Sequence, residues 1–249
     1  MIRKKEAGVE WLEFELLQGF PQVIHGVFLK HGGQSKGPFA SLNIADVGDV
    51  LSDVQANFKK VQSITGLSHI IYARCIHGVQ IEYISKKETA TSKWCDGFIT
   101  SEPEIGLMIS HADCQAGIFF DPKEKRIACI HAGWRGEVQN IYGHAIEKMR
   151  ALGSQPSDLL VCISPSLGPS FSEFVNYKKE FPEELWDFQF KPTYFNLWDM
   201  AYHQLLTQGI HPNHIEIARI CTYQQKEDFF SYRRDKITGR NGTVVGLKK

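Results

Sequence analysis

The chain has 249 residues, 43 % of them apolar, with sixteen Phe and five Trp. That is enough bulk for a core needing neither disulfides nor a metal, and it excludes extended disorder. Lys plus Arg equals Asp plus Glu at 28 each, for a formal net charge of zero, so nothing steers the whole molecule toward nucleic acid or an anionic membrane. Its apolar runs, such as "IGLMIS" and "AGIFF", are strand-sized and too short to cross a bilayer. Glu6, Glu10, Glu13 and Glu15 interrupt the first segment, which lacks the apolar core of a secretory signal, and a cytoplasmic protein is expected.

Residues 9–17 and 22–29 read as strands. The stretch that follows, "KHGGQSKGPFASLN", is too rich in Gly, Ser and Pro for a regular element and reads as a structured loop. A helix is predicted over 53–65: Val54, Phe58 and Val61 share a face, Ser52 and Gln55 have capping-box spacing, and Gly66 can close the end. Strands follow at 69–75, 79–84, 97–100 and 105–110. "CQAGIFF" and "RIACIHA" flank the turn-like "DPKEK" as a hairpin. Both faces of "IACIH" are apolar, so that strand should be covered on both sides.

A second helix is predicted over 136–151, where Val138, Ile141, Ala145 and Met149 recur at helical steps and Gly153 can terminate it. Strand 159–163 precedes a loop-like "SPSLGPSF" and a helix beginning near Glu173 or Tyr177. Asn196 and Asp199 open a third helix ending near Gly209. Strand 215–220, the strand-like "FFSYRR", the glycine-bearing "TGRNG" and strand 243–247 finish the chain. With no internal repeat or linker, one α+β or layered α/β domain over 1–249 is expected.

Six cysteines, at 75, 95, 114, 129, 162 and 221, form no CxxC pair and read as free thiols. Cys129 and Cys162 sit inside apolar strands as small core residues. His77, Cys114 and His131 each stand at a strand end. Two imidazoles and a thiolate make a three-ligand zinc set with a fourth position for water or substrate. Such a site lowers the pKa of water and polarises a substrate oxygen. Asp113 could then orient a ligand or exchange protons. Arg135, at the start of the second helix, offers a fixed positive fork to phosphate or developing negative charge. The same trio also reads as a Cys–His hydrolase with Cys114 as nucleophile, and His131 and Trp134 alone could be a strand cap and core packing. His111 could approach a metal or support one. Lys30, His31, Arg74, Arg233, Arg234 and Arg240 are candidates for an anion-binding rim, Tyr232 and Phe229 for core or a nucleobase platform. His144 and His203 read as surface or satisfied core.

The ordered motifs "HGGQSKGPFASLN", "CIHG", "CDGFIT", "HADC", "HAGWRG" and "FFSYRRDKITGR" resemble, over about residues 22–247, a family known as multicopper polyphenol oxidoreductase, laccase-domain protein, purine nucleoside phosphorylase or peptidoglycan editing factor. The resemblance implies a four-layer α/β/β/α sandwich with mixed sheets, acting as a monomer. It implies metal ligands at His77, Cys114 and His131, with Asn43, Arg74 and Arg135 lining or supporting the pocket. The implied activity is zinc-dependent phosphorolysis of purine nucleosides, adenosine or inosine, by inorganic phosphate, with adenosine deamination and methylthioadenosine phosphorolysis alongside. The family's names carry two alternatives, copper-dependent polyphenol oxidation of the laccase type and a peptidoglycan-precursor amidase; from a different class, the residues also allow a non-catalytic metal-stabilised binding protein. A laccase needs several coppers and many histidine ligands, and one three-ligand cluster stands out here, although the same ligands could bind copper. Three departures bear on substrate choice and spare the ligands. Cys75 stands where the family has Gln. Leu29-Lys30 replaces Thr-Arg, keeping charge without the bidentate fork. "SPSLGPSFSEF" lacks the family's cysteines and tyrosine around Ser170–Ser172.

Overall fold

The apolar hairpin expected around "DPKEK" lies at the centre of the molecule. The computed structural model describes residues 1–249. The chain opens with β1 (Ile2–Glu6), β2 (Val9–Glu13) and β3 (Val23–Phe28). β1, "IRKKE", has no apolar alternation to announce it; it is held by its antiparallel register on β2 and by Arg3, which pairs with Glu10 and Asp228. The strand expected over 9–17 ends at Glu13, where Glu15–Leu17 winds into a 3-10 turn. After a long loop comes α1 (Leu51–Thr65), which starts ahead of the expected 53 with Val50 as a cap that makes no side-chain hydrogen bond; Ser52 lies inside the helix and the expected Ser52–Gln55 box does not form. Gly66 closes the helix in the left-handed region at φ 66, as expected.

Next come β4 (His69–Arg74), β5 (Ile81–Tyr83), β6 (Ser92–Trp94), β7 (Gly97–Thr100), β8 (Ile105–His111), β9 (Gln115–Asp121) and β10 (Arg126–Ala132). The β9–β10 turn is an Asp turn: Asp121 Oδ1 accepts the amides of Lys123 and Glu124 at 2.9 and 3.0 Å. The single helix expected over 136–151 is two, α2 (Trp134–Val138) and α3 (Ile141–Ala151). Asn140 separates them in the left-handed region at φ 57, its side chain accepting the Gly143 amide. Then follow β11 (Leu160–Ile163), the single turn α4 (Tyr177–Glu180), β12 (Gln189–Lys191), β13 (Tyr194–Phe195), α5 (Leu197–Thr207), β14 (Ile215–Ile217), α6 (Tyr232–Asp235) and β15 (Asn241–Leu247). Asn196 caps α5 through the Asp199 amide, as its spacing predicts. "FFSYRR" is no strand: Phe229 and Phe230 are buried, and Ser231 caps α6 by accepting the Arg234 amide.

The fold is α+β and layered. One mixed sheet runs β1–β2–β3–β15–β8–β4–β6, the other β14–β11–β9–β10–β7–β5. Between them lies the largest apolar cluster, with Val27, Ile71, Leu107 and Val245 from one sheet meeting Phe98, Ile118, Phe120 and Cys129 from the other. α3 and α5 cover the outer face of the second sheet through Ile141, Ile146, Met149 and Leu205. α1 covers the outer face of the first, where Val61 and Phe58 meet Phe28, Met108 and Val244. The expected α/β/β/α order follows, and every residue of β10 is buried, as its two apolar faces require. No helix is long and apolar enough to cross a membrane.

The Gly-rich loop before α1 is structured because a helix side chain holds it. Asn57, fully buried, accepts the Gln34 amide at 2.7 Å and donates to Ser35 Oγ and the carbonyls of Ser41 and Asn43. Gly33 passes so close to Ser41 that a Cβ would lie 2.0 Å from the Ser41 carbonyl oxygen. Asn57→Ala strands these groups in a buried place and should cost about 2–4 kcal/mol. The check is a lower urea midpoint at unchanged slope; an unshifted midpoint would show that the loop is held by something else.

Candidate metal centre and the chambers around it

His77, Cys114 and His131 reach one point from two sheets. His77 follows β4, Cys114 lies in the short link from β8 to β9, and His131 is the penultimate residue of β10. Their ligand atoms lie within 4.8 Å of one another, and the two imidazole rings stand edge to face at 4.9 Å between centroids. His131 is buried and His77 exposed, so the cluster has a closed back and an open front. Gly133 forms part of that back. A Cβ there would come within 3.0 Å of His77 Cδ2, 3.3 Å of Cys114 Sγ and 3.4 Å of His131 Cε1. A glycine at this position therefore clears space for the three side chains. Two imidazole nitrogens and one thiolate with an open face fit zinc, and copper accepts the same donors.

Asp96, fully buried between β6 and β7, organises the cluster. Its Oδ1 accepts the His77 amide at 2.8 Å and faces His131 Nδ1 at 3.1 Å; its Oδ2 accepts the Gly78 amide at 2.7 Å. The amide bond holds His77 at φ 59, a strained conformation for a histidine. A proton on His131 Nδ1 shared with Asp96 leaves Nε2 to act as ligand. Burial alone would raise the Asp96 carboxyl, but His131 and the two amides outweigh it and hold it below the usual carboxylate range. Burial also pushes the Cys114 thiol up, yet His131 and His77 bring it down to about 6. Burial opposes the charge on His131, but Cys75, Cys114 and Asp96 hold that imidazole well above its ordinary value. Both shifts run in the direction that favours a thiolate on Cys114 beside a protonated His131.

Two cavities meet at the cluster and share His77, Cys114 and Tyr232. One, of about 500 Å³, is walled by Val47, Tyr72, Trp94 and Tyr232, with Arg74 and Arg240. The other, of about 430 Å³, holds Arg135, Arg233 and Lys236 beside Trp134 and Phe174. Arg135 is where the sequence put it, although α2 is too short for its backbone donors to form an anion site. Asp113 lines the second cavity, but both its oxygens are engaged, by the Thr222 hydroxyl at 2.7 Å and the Arg233 amide at 2.6 Å. Those two bonds tie the carboxylate to Thr222 and to the start of α6.

The expected anion rim divides. Arg233 faces the cationic cavity, while Arg74 and Arg240 face the aromatic one. Lys30 bonds the Lys226 carbonyl, His31 pairs with Asp228, and Arg234 donates to the carbonyls of Thr222, Tyr223 and Phe229, so these three hold loops together. Phe229 is core, and Tyr232 is half exposed on the wall common to both cavities. Asn43 is buried and binds Ala45, Asp49 and the Arg240 amide, supporting the aromatic cavity from behind. His111 is buried against Thr243, and burial with the nearby charge of His131 lowers it to about 3, so its ring is neutral. His144 and His203 are exposed. Cys75 Sγ, Asp96 and His131 form a second set within 4.8 Å, where the family pattern has Gln.

Sequence reasoning missed Asp96 and Glu137. The signal for Asp96 is an acid before a glycine at the head of the apolar "GFIT". Glu137 is fully buried behind Cys114; Gln115 donates to its Oε1 at 3.1 Å, and its Oε2 has no protein partner. Burial, then the charge of Cys114, pushes its carboxyl well above the usual range.

Residues 24–248 match the family model described as multi-copper polyphenol oxidoreductase laccase. A purine nucleoside phosphorylase of Geobacillus stearothermophilus, YlmD, is 31 % identical over 92 % of this chain and 92 % of its own. A purine nucleoside phosphorylase of Bacteroides thetaiotaomicron is 30 % identical over 90 % of each. The crystal structure of the Geobacillus YlmD matches with a TM-score of 0.85 at 30 % identity, covering 100 % of this chain and 99 % of that one.

Two outcomes follow from the Asp96–His131–Cys114 array. Alkylation of Cys114 in metal-free protein, read on its peptide by mass spectrometry, should rise through pH about 6, because the lowered pKa makes thiolate available above that value. His131→Ala should move the midpoint up toward an ordinary thiol; an unmoved midpoint would remove His131 as the cause. Asp96→Asn should weaken zinc binding about 10–100-fold in a chelator competition; an unchanged constant would contradict the orienting role.

Proposed function

Because the chain belongs to the multi-copper polyphenol oxidoreductase laccase family, we propose that it is a zinc-dependent purine nucleoside phosphorylase, cleaving adenosine or inosine with inorganic phosphate. Adenosine deamination and methylthioadenosine phosphorolysis belong to the same reading. The observation that carries it is one sulfur and two imidazole nitrogens converging on a point open to two cavities, one aromatic and one cationic. Relatives named purine nucleoside phosphorylase across nine-tenths of their length support it. Copper-dependent oxidation of phenols is less well supported. The two candidate ligand sets share His131 and so fall short of the several copper sites that four-electron chemistry with oxygen requires.

His77, Cys114 and His131 would hold the ion, and zinc bound there supplies Lewis acidity toward a substrate oxygen. The chain's own residues do the rest. Asp96 fixes the His131 tautomer, and Arg135 neutralises phosphate brought to the sugar. In phosphorolysis a phosphate oxygen bonds to the sugar C1′ as the bond from C1′ to the base nitrogen breaks. The electron pair stays on the base, which takes the proton of hydrogen phosphate. In deamination a water oxygen replaces the amino group on the purine carbon, and ammonia leaves.

Zinc-loaded protein incubated with adenosine, inosine and methylthioadenosine, with and without phosphate, tests this. Free base and a sugar 1-phosphate that appear only with phosphate support phosphorolysis; ammonia from adenosine supports deamination; no turnover of any nucleoside overturns the reading. Cys114→Ala and His131→Ala should keep native circular dichroism but lose stoichiometric zinc and turnover. Full zinc content in both variants would reject their ligand roles.

A further inference from the structure

The two cavities differ in what their cations are doing. In the aromatic cavity Arg74 is committed: it pairs with Asp46 at 2.8 Å and lies 5.4 Å from the Tyr72 ring and 5.7 Å from the Trp94 ring. Arg240 donates one nitrogen to the carbonyls of Thr238 and Gly239 and is the one cation of this cavity with no acid partner. What remains free there is ring surface, above all Trp94, whose side chain stands 67 % exposed at the mouth. An indole exposed to this extent, in a wall shared with Tyr72 and Tyr232, is a stacking platform for a planar heterocycle.

In the cationic cavity all three cations lie over rings, and none is paired with an acid. Arg135 lies over its neighbour Trp134 at 4.2 Å and pairs with no carboxylate. Lys236 Nζ sits 5.4 Å from the Tyr232 ring, also without an acidic partner. Arg233 donates to the Glu173 carbonyl and to no acid. The one carboxylate on the wall, Asp113, is satisfied by Thr222 and the Arg233 amide. Guanidinium and ammonium groups left unpaired around a concave space of about 430 Å³ suit a multivalent oxyanion together with the group that carries it.

We propose that the two cavities are separate subsites: the aromatic one takes the purine, the cationic one takes phosphate and the sugar phosphate formed from it, and the nucleoside spans the ligand trio between them. This rests on the phosphorolysis reading. Each product then forms in its own cavity, with Tyr232 on the wall between.

The test separates the two Michaelis constants. Arg135 and Lys236 are exposed side chains, so Arg135→Gln and Lys236→Gln should fold normally. Together they should raise KM for phosphate about tenfold or more and leave KM for inosine within about twofold. Trp94→Ala should do the reverse. A second readout needs no turnover: calorimetric titration of the zinc-loaded protein with inorganic phosphate should weaken about tenfold in the double variant and stay unchanged in Trp94→Ala. If the protein turns over inosine but the double variant keeps its phosphate KM and binding, the subsite assignment is overturned and phosphorolysis stands. If no nucleoside turns over but phosphate binding falls in the double variant alone, the anion subsite is supported and phosphorolysis is the part that fails.

Discussion

The candidate centre depends on one carboxylate. Asp96 sits where the chain leaves the first sheet for the second, and its oxygens take the amides of His77 and Gly78 and the side chain of His131. Its backbone is tied in as well: the Asp96 amide donates to the Gln80 carbonyl, and its carbonyl accepts the His131 amide. A buried anion is costly unless donors surround it, and here the donors are the groups that must be positioned. The same bonds that make the charge tolerable fix one strained backbone and one imidazole tautomer.

Much of this was legible in the sequence, for a physical reason. Periodicity reports burial, so the central hairpin, the three main helices and the two-sided cover of β10 could be read directly. A histidine or cysteine at the end of an apolar strand stands out because a core has no use for it; that marked His77 before Gly78, Cys114 beside Asp113, and His131. Asp96 did not stand out, because its partners are two backbone amides and an imidazole 18 to 35 positions away. Helical spacing also runs unbroken across Asn140, where a left-handed residue divides the helix; spacing senses faces and is blind to a change of axis. "FFSYRR" failed differently: aromatic residues suit a strand or a buried turn equally, and Ser231 decides by capping.

Charge gave the opposite lesson. A net charge of zero excluded a global field, yet the chain gathers three cations without acid partners, Arg135, Arg233 and Lys236, on one side of the centre and pairs Arg74 with Asp46 on the other. Of the basic residues that the sequence offered for an anion-binding rim, Lys30 and Arg234 bind loop carbonyls. Only neighbours in space separate a structural arginine from one available to a ligand. Tyr232 and Phe229, three positions apart, part in the same way, one onto the wall of the cavities and one into the core.

His77 hangs from the first sheet and His131 from the second, with Cys114 on the link that crosses from one to the other. An ion gripping all three would therefore rivet the seam between the sheets. Sliding of one sheet on the other would stretch coordination bonds as well as shear apolar contacts. Metal loading should then stiffen strands that never approach the ion, since any ligand that prefers the closed sandwich draws the whole interface toward it.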